Sequence, residues 1–254
     1  MSTTTTTIEQ LQQQLARLGI RDGDALMVHA SLRSVGLTES RGEGLINALK
    51  SSVGAQGTIM AYAAFRKTAE VPHFDPKRSP ARPEYGVFAE LLRTSPGAVR
   101  SGNPGASMVA LGARAQYLCE NHPLSYGYGP DGPLGKLVAL GGKVLLLGSD
   151  PDQVTILHLA EHVARIPNKR VVQRVVDVMR EDGSVCPVTI EEFDTSHPVV
   201  SSMPEKIFAS IVGRFIESGA ATAGPVGRAR AHLLPARELV SFAVSVIERE
   251  YGEQ

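Results

Sequence analysis

Tryptophan is absent from the 254 residues, cysteine occurs twice, aromatic side chains make up 5%, and neither charge sign is in excess, with 26 Lys and Arg against 26 Asp and Glu. Cys119 and Cys186 are far apart and form no C-x-x-C pair, which argues against a disulfide framework and against a thiolate metal site. Cys119, in "AQYLCE", reads as a small core residue rather than a nucleophile. Balanced charge leaves no global field toward nucleic acid or an anionic membrane, so neither is expected as a partner and any charge selectivity must be local. No stretch approaches the ~20 apolar residues of a membrane span. Residues 1–18, a Thr run followed by "IEQLQQQLARL", lack the basic start and apolar centre of a secretory signal. These absences predict a soluble, cytoplasmic protein, with residues 1–7 as a disordered tail.

What is present suffices for a large core: 43% of residues are apolar and 20% charged, and one compact domain over 1–254 is the expectation. After a first helix at 8–18, "DALMVHA" reads as a buried strand, "SLRSVG" as a turn and "GEGLINALKSSV" as a helix. "GTIMAYA" is a second strand. Residues 64–85 carry four prolines and no apolar period, so they form a long irregular segment of the kind that is usually functional. Helices follow at "GVFAELLRT", "ARAQYLCE" and "PLGKLVAL", and strands at "SMVALG" and "KVLLLGS". "TILHLAEHVARIP" reads as a helix of about three turns stopped by Pro167. Two alternating runs then meet at Asp182-Gly183, a strong hairpin signal. A helix at 204–218, a strand at "ARAHLL" and a terminal helix from 236 complete an α/β pattern: a mixed sheet flanked by helices, with one antiparallel hairpin.

The helix candidate holds His158, Glu161 and His162, which helical spacing places on one face. That order suits two chemistries: two imidazoles ligating zinc, with Glu161 polarising water, or Glu161 orienting His158 as a general base. A helix face that bonds its own polar groups would look the same. Zinc hydrolysis also needs a third protein ligand, and nothing distinguishes Glu191, Glu192, Asp194 or His197 as one. The turn His29 to Gly36 follows a buried strand, where backbone N–H groups suit phosphate, with Ser31 and Ser34 as hydroxyl donors and Arg33 as a cation. "YGYGPDG" contains G-x-G-x-x-G at Gly127, Gly129 and Gly132, but it does not follow a strand, so the glycines are expected to shape a loop ahead of Pro133. Carboxylates gather at Asp75 and at Glu191, Glu192 and Asp194, as a neutral protein binding a polycation would require.

Together these stretches resemble the aminoglycoside 3-N-acetyltransferase family. The resemblance is carried by "GDALMVHASLRSVG", "GTIMAYA", "FDP", "LLRTSPGAVRSGNPGASMVALG", "HPLSYGYG", "PLGKLV", "GGKVLLLG", "VTILHLAEHVARIPNKR", "IEEFDT" and "GPVGRARAHL", in family order over nearly the whole chain. It implies an acyltransferase that moves acetyl from acetyl-CoA to the 3-amino group of a 2-deoxystreptamine aminoglycoside, conferring antibiotic resistance. It also implies a fold distinct from the common N-acetyltransferase superfamily, and no metal. On this resemblance His158 is the base and Glu161 fixes its tautomer, while His162 falls outside the family pattern and its loss should be mild. The acetyl-CoA segment becomes His29, Ala30, Ser31, Leu32, Arg33, Ser34, Val35 and Gly36, extended to Ser101 and Ser107. N–H groups near His29 and Ser31 are candidate oxyanion donors. Tyr62, Asp75, Glu192, Asp194 and His197 are the expected drug contacts. A short insert at 64–74, His197 in place of an acidic residue and Gly132 in place of a serine depart from the family and bear on drug range. The resemblance leaves open acetylation of another amine, and a monomer or a homodimer.

Overall fold

A computed structural model describes residues 5–36 and 38–252. Regular structure begins with a reciprocal cap: the Thr7 hydroxyl accepts from the Gln10 N–H at 3.1 Å, and the Gln10 side chain accepts from the Thr7 N–H at 2.9 Å. This starts α1 (Ile8–Leu18), which buries Leu11, Leu15 and Leu18 along one stripe. Thr6 bridges Thr38, so the expected disordered tail excludes Thr6 and Thr7; residues 1–4 of it lie outside the described residues.

In chain order follow β1 (Ala25–Ala30), α2 (Leu32–Val35), α3 (Arg41–Val53), β2 (Thr58–Tyr62), α4 (Phe88–Thr94), β3 (Val99–Arg100) and β4 (Met108–Gly112). Then come α5 (Ala115–Cys119), α6 (Pro133–Ala139), β5 (Lys143–Leu147) and α7 (Leu157–Val163). The chain continues through β6 (Val171–Met179), β7 (Val185–Phe193), α8 (Ile207–Glu217), β8 (Thr222–Val226), β9 (Ala229–Pro235) and α9 (Ala236–Tyr251).

Seven strands form one sheet in the order β3-β4-β2-β1-β5-β9-β8. β1 is parallel to β2 and β5, while β4 and β9 flank them antiparallel. The central strands are apolar on both faces because helices cover both. Leu26 and Val28 of β1 join Leu11, Leu45 and Leu92 in one core layer, and Met27 joins Leu134, Leu159, Ile211 and Val246 in the other. This is the mixed, helix-flanked α/β sheet that the alternation predicts. Two features differ. The 171–193 hairpin is a separate two-stranded sheet, and the main sheet contains its own hairpin, β8–β9, with further antiparallel pairing through β3 and β4. The helix around His158 is also shorter than expected, because Ala164 turns extended and the Arg165 N–H donates to Glu248 of α9 at 2.8 Å.

From β1 the chain reaches β2 on one side and later β5 on the other, so a crevice opens beyond the carboxyl ends of these three strands. Gly148, in the left-handed region at φ 62°, lets the chain turn off β5 there.

Candidate active site

Two clefts meet over this crevice. One, of about 410 Å³, is lined by the end of β1 (His29, Ala30), the turn after it (Ser31, Leu32, Arg33), Tyr62 at the end of β2, and Gly148, Ser149 and Asp150 after β5. The other, of about 290 Å³, contains His158, Glu161, Asp152, His197 and Glu205, walled by Tyr128 and Phe208. Tyr62, Tyr85, Gln153 and Thr155 belong to both walls, so the clefts are continuous.

The His158–Glu161 pair is set by helical geometry, one turn apart on α7: Nδ1 of His158 lies 2.7 Å from the Glu161 carboxylate. Nδ1 is thereby taken, and Nε2 is the nitrogen left to face a ligand. The ring is held between Tyr128, at 4.8 Å between centroids, and Phe208, at 4.9 Å. Glu161 is 4% exposed. Tyr128 also hydrogen-bonds the Tyr62 hydroxyl at 2.8 Å, and burial pushes the Tyr62 phenol up to about 12. Among the described residues no Lys or Arg lines this cleft, whereas Asp152, Glu161 and Glu205 do.

His162 turns elsewhere. Its Nε2 lies 2.7 Å from Glu192 and its ring stacks on Phe193 at 4.2 Å. The two imidazoles thus engage different carboxylates, and among the described residues no group of three or more His, Cys, Asp or Glu is arranged to hold a metal ion. The zinc reading of H-x-x-E-H has no geometric support.

Of the expected acetyl-CoA segment, His29 to Arg33 line the first cleft. The Ser31 side chain caps α2, accepting from the Ser34 N–H at 3.2 Å. Ser34 braces Gly148 at 3.0 Å, Val35 is core, and Gly36 closes α2, so these three do not line the cleft. The Ser31 N–H is bonded to the Leu147 carbonyl at 3.0 Å, which removes it as an oxyanion donor. Burial pushes the His29 imidazole down to about 4.

Ser101 and Ser107 are fully buried and line neither cleft. Ser101 accepts from the Met108 N–H and bonds His122, while Ser107 donates to the Ala63 carbonyl and accepts from Arg100. Among the expected drug contacts, Tyr62 and His197 line the second cleft, with His197 3.7 Å from Glu205. Glu192 and Asp194 do not. The Glu192 carboxylate accepts from His162 and from the N–H groups of Tyr128 and Phe193. Asp194 caps its own turn by accepting from the Ser196 N–H at 3.0 Å. Asp75 accepts from the Lys77 and Arg78 N–H groups and lines a separate concavity of about 730 Å³ beside the β6–β7 tip.

Sequence reasoning missed Asp152, Gln153, Thr155, Tyr85 and Glu205. The first three follow β5, where the carboxyl-end rule applied to His29 would have found them. No local pattern marks Tyr85 or Glu205. The glycine loop behaves as expected: a Cβ at Gly127 would overlap Asn103, and Pro133 starts α6.

A family model described as Aminoglycoside 3-N-acetyltransferase matches residues 27–248. The chain is 39% identical over 252 residues to aminoglycoside N(3)-acetyltransferase III of Pseudomonas aeruginosa, covering 93% of this chain and 91% of that one. A solved structure of AAC-IIIb, binary with CoASH, superposes with a TM-score of 0.95 at 43% identity over 99% of both chains. AAC-VIa bound to sisomicin superposes with a TM-score of 0.91 at 34% identity, over 98% of this chain and 100% of that one.

Proposed function

The chain belongs to the aminoglycoside 3-N-acetyltransferase family, and from that premise we propose that His158 is the general base for acetyl transfer between its two clefts. The acidic cleft takes the 2-deoxystreptamine drug, and the cleft over β1, β2 and β5 takes acetyl-CoA. His29, Ala30, Ser31, Leu32 and Arg33 would hold the acetyl-CoA, with Arg33 and the turn backbone suited to its phosphates. Both clefts are lined by one chain, so the site is whole in a monomer or a homodimer. Acetyl-CoA as donor makes this a cytoplasmic activity.

An ammonium must lose its proton before it can attack a thioester, and a neutral imidazole is a suitable acceptor near pH 7. His158 Nε2 takes that proton, and Glu161 holds the opposite N–H and stabilises the imidazolium. Acetylation removes one of the drug's positive charges, which accounts for resistance. The observation that carries the reading is the His158–Glu161 pair, at 2.7 Å, in the wall of a cleft with carboxylates and no Lys or Arg among its described lining residues.

The experiment is thiol release from acetyl-CoA across 4,5- and 4,6-linked aminoglycosides and apramycin. Turnover is expected with several of them and is unaffected by EDTA. His158→Ala should lower kcat by ~10² or more while acetyl-CoA still binds. Undiminished turnover in that variant rejects the base assignment.

A further inference from the structure

The acetyl carbonyl must sit where the clefts meet, because the thioester arrives from one and the amine from the other. Only Tyr62, Tyr85, Gln153 and Thr155, among the described residues, line both. As the amine forms its bond to the carbonyl carbon, the π pair moves onto oxygen, and that oxyanion needs a donor already in place. The Tyr62 hydroxyl is tied to Tyr128 at 2.8 Å. Tyr85 is 40% exposed, and Gln153 is an exposed, multi-torsion side chain on a short 3-10 turn. Thr155 is 5% exposed and β-branched, hence stiff. Its hydroxyl partner among the described residues, the Gln153 carbonyl, is 3.4 Å away, beyond the ordinary O–H···O range. The His158 N–H donates to the Thr155 carbonyl at 3.1 Å, so donor and base are joined through one turn of backbone.

The geometry points to Thr155 as the side-chain donor to the oxyanion of the tetrahedral intermediate, an inference that rests on the His158 reading. The ammonium's first proton passes through His158 to solvent, and as the C–N bond forms the neutral imidazole takes the second while the carbonyl pair moves to oxygen. Collapse restores C=O and breaks C–S, the thiolate leaves with the bonding pair, and the imidazolium returns the proton to sulfur. Thr155 keeps its own proton, acting through a hydrogen bond that strengthens as the oxygen becomes negative.

Thr155→Val, Thr155→Ser and His158→Ala are compared by steady-state kinetics over pH, with melting temperatures recorded. Thr155→Val should lower kcat by ~10²-fold to 10³-fold, with KM for both substrates changed by less than about three-fold and the pH profile unchanged in shape. Thr155→Ser should restore most of the rate. Unchanged kcat in the valine variant, a loss confined to KM, or a serine variant as slow as valine overturns the inference. If valine lowers the melting temperature sharply, Thr155→Ala against Thr155→Ser supplies the same comparison. Should His158→Ala keep its rate and acid limb, the base reading fails, whatever the Thr155 result.

Discussion

His122 shows how burial and hydrogen bonding settle a protonation state. Its Nε2–H donates to the Gly127 carbonyl at 2.8 Å, and its Nδ1 accepts from the Ser101 hydroxyl at 2.8 Å, an arrangement that uses the neutral ring. Burial holds its pKa at about 4, and that of His29 at about 4 as well. An unfolded histidine titrates near 6.5. Because the folded values are depressed, the associated stability is complete above about pH 6.5 and is lost as pH falls toward about 4, where only the unfolded chain would otherwise be protonated. Urea midpoints are therefore expected to fall between about pH 7 and about pH 4.5, and His122→Gln should flatten that slope. An equally steep slope in the variant would remove His122 as a source. The same pair accounts for the Ser101 hydroxyl. A serine's type and position in the chain do not reveal whether its hydroxyl meets solvent, ligand or a buried ring, and here it meets a buried ring.

The link between α7 and the β6–β7 hairpin gives His162 a place that the family pattern does not mark. His162 looked expendable because it lies outside the family pattern, yet Glu192 gathers His162 from α7, the Tyr128 N–H from the glycine loop and the Phe193 N–H of its own strand. Removing the imidazole strips a half-buried carboxylate of one partner and leaves a space against Phe193. His162→Ala should lower unfolding free energy by ~1–3 kcal/mol, measured by urea denaturation at pH 7.5. A change below about 0.5 kcal/mol, within the range of surface substitutions, would show that the link carries little. Other elements were legible to different degrees. α1 was readable because its cap and apolar stripe are local, and the hairpin because Gly183 takes the left-handed conformation that its turn needs. β8, "TAGPV", hid behind Gly224 and Pro225; it is tolerated as a strand because it lies at the sheet edge. The early end of α7 was not readable either, since it depends on Glu248, more than eighty residues on.

Across the whole molecule, the neutral charge balance conceals a local field. Asp152, Glu161 and Glu205 converge on a cleft that holds no Lys or Arg among its described lining residues. A polycation bound there should respond to single charges at the rim and to salt. Glu205→Gln is expected to raise KM for the drug by ~2-fold to 5-fold at low ionic strength with kcat unchanged, and His197→Asp to lower it; both effects should fade near about 0.5 M salt. Drug KM values that do not move at low salt would place the ammonium contacts elsewhere. The α/β class followed from the chain alone, because strands apolar on both faces and helices with one apolar stripe have few ways to pack. So did the His158–Glu161 pair, since three residues on a helix is a fixed short distance. The carboxylates were not decidable in this way. Glu192, Asp194 and Asp75 went to a half-buried bond, a local turn and a separate concavity, while Asp152 and Glu205, unmarked in the sequence, reached the cleft. The meeting of Tyr62, Gln153 and Thr155 depended likewise on packing, because residues from distant segments become neighbours only when the sheet order brings β2 and β5 to either side of β1.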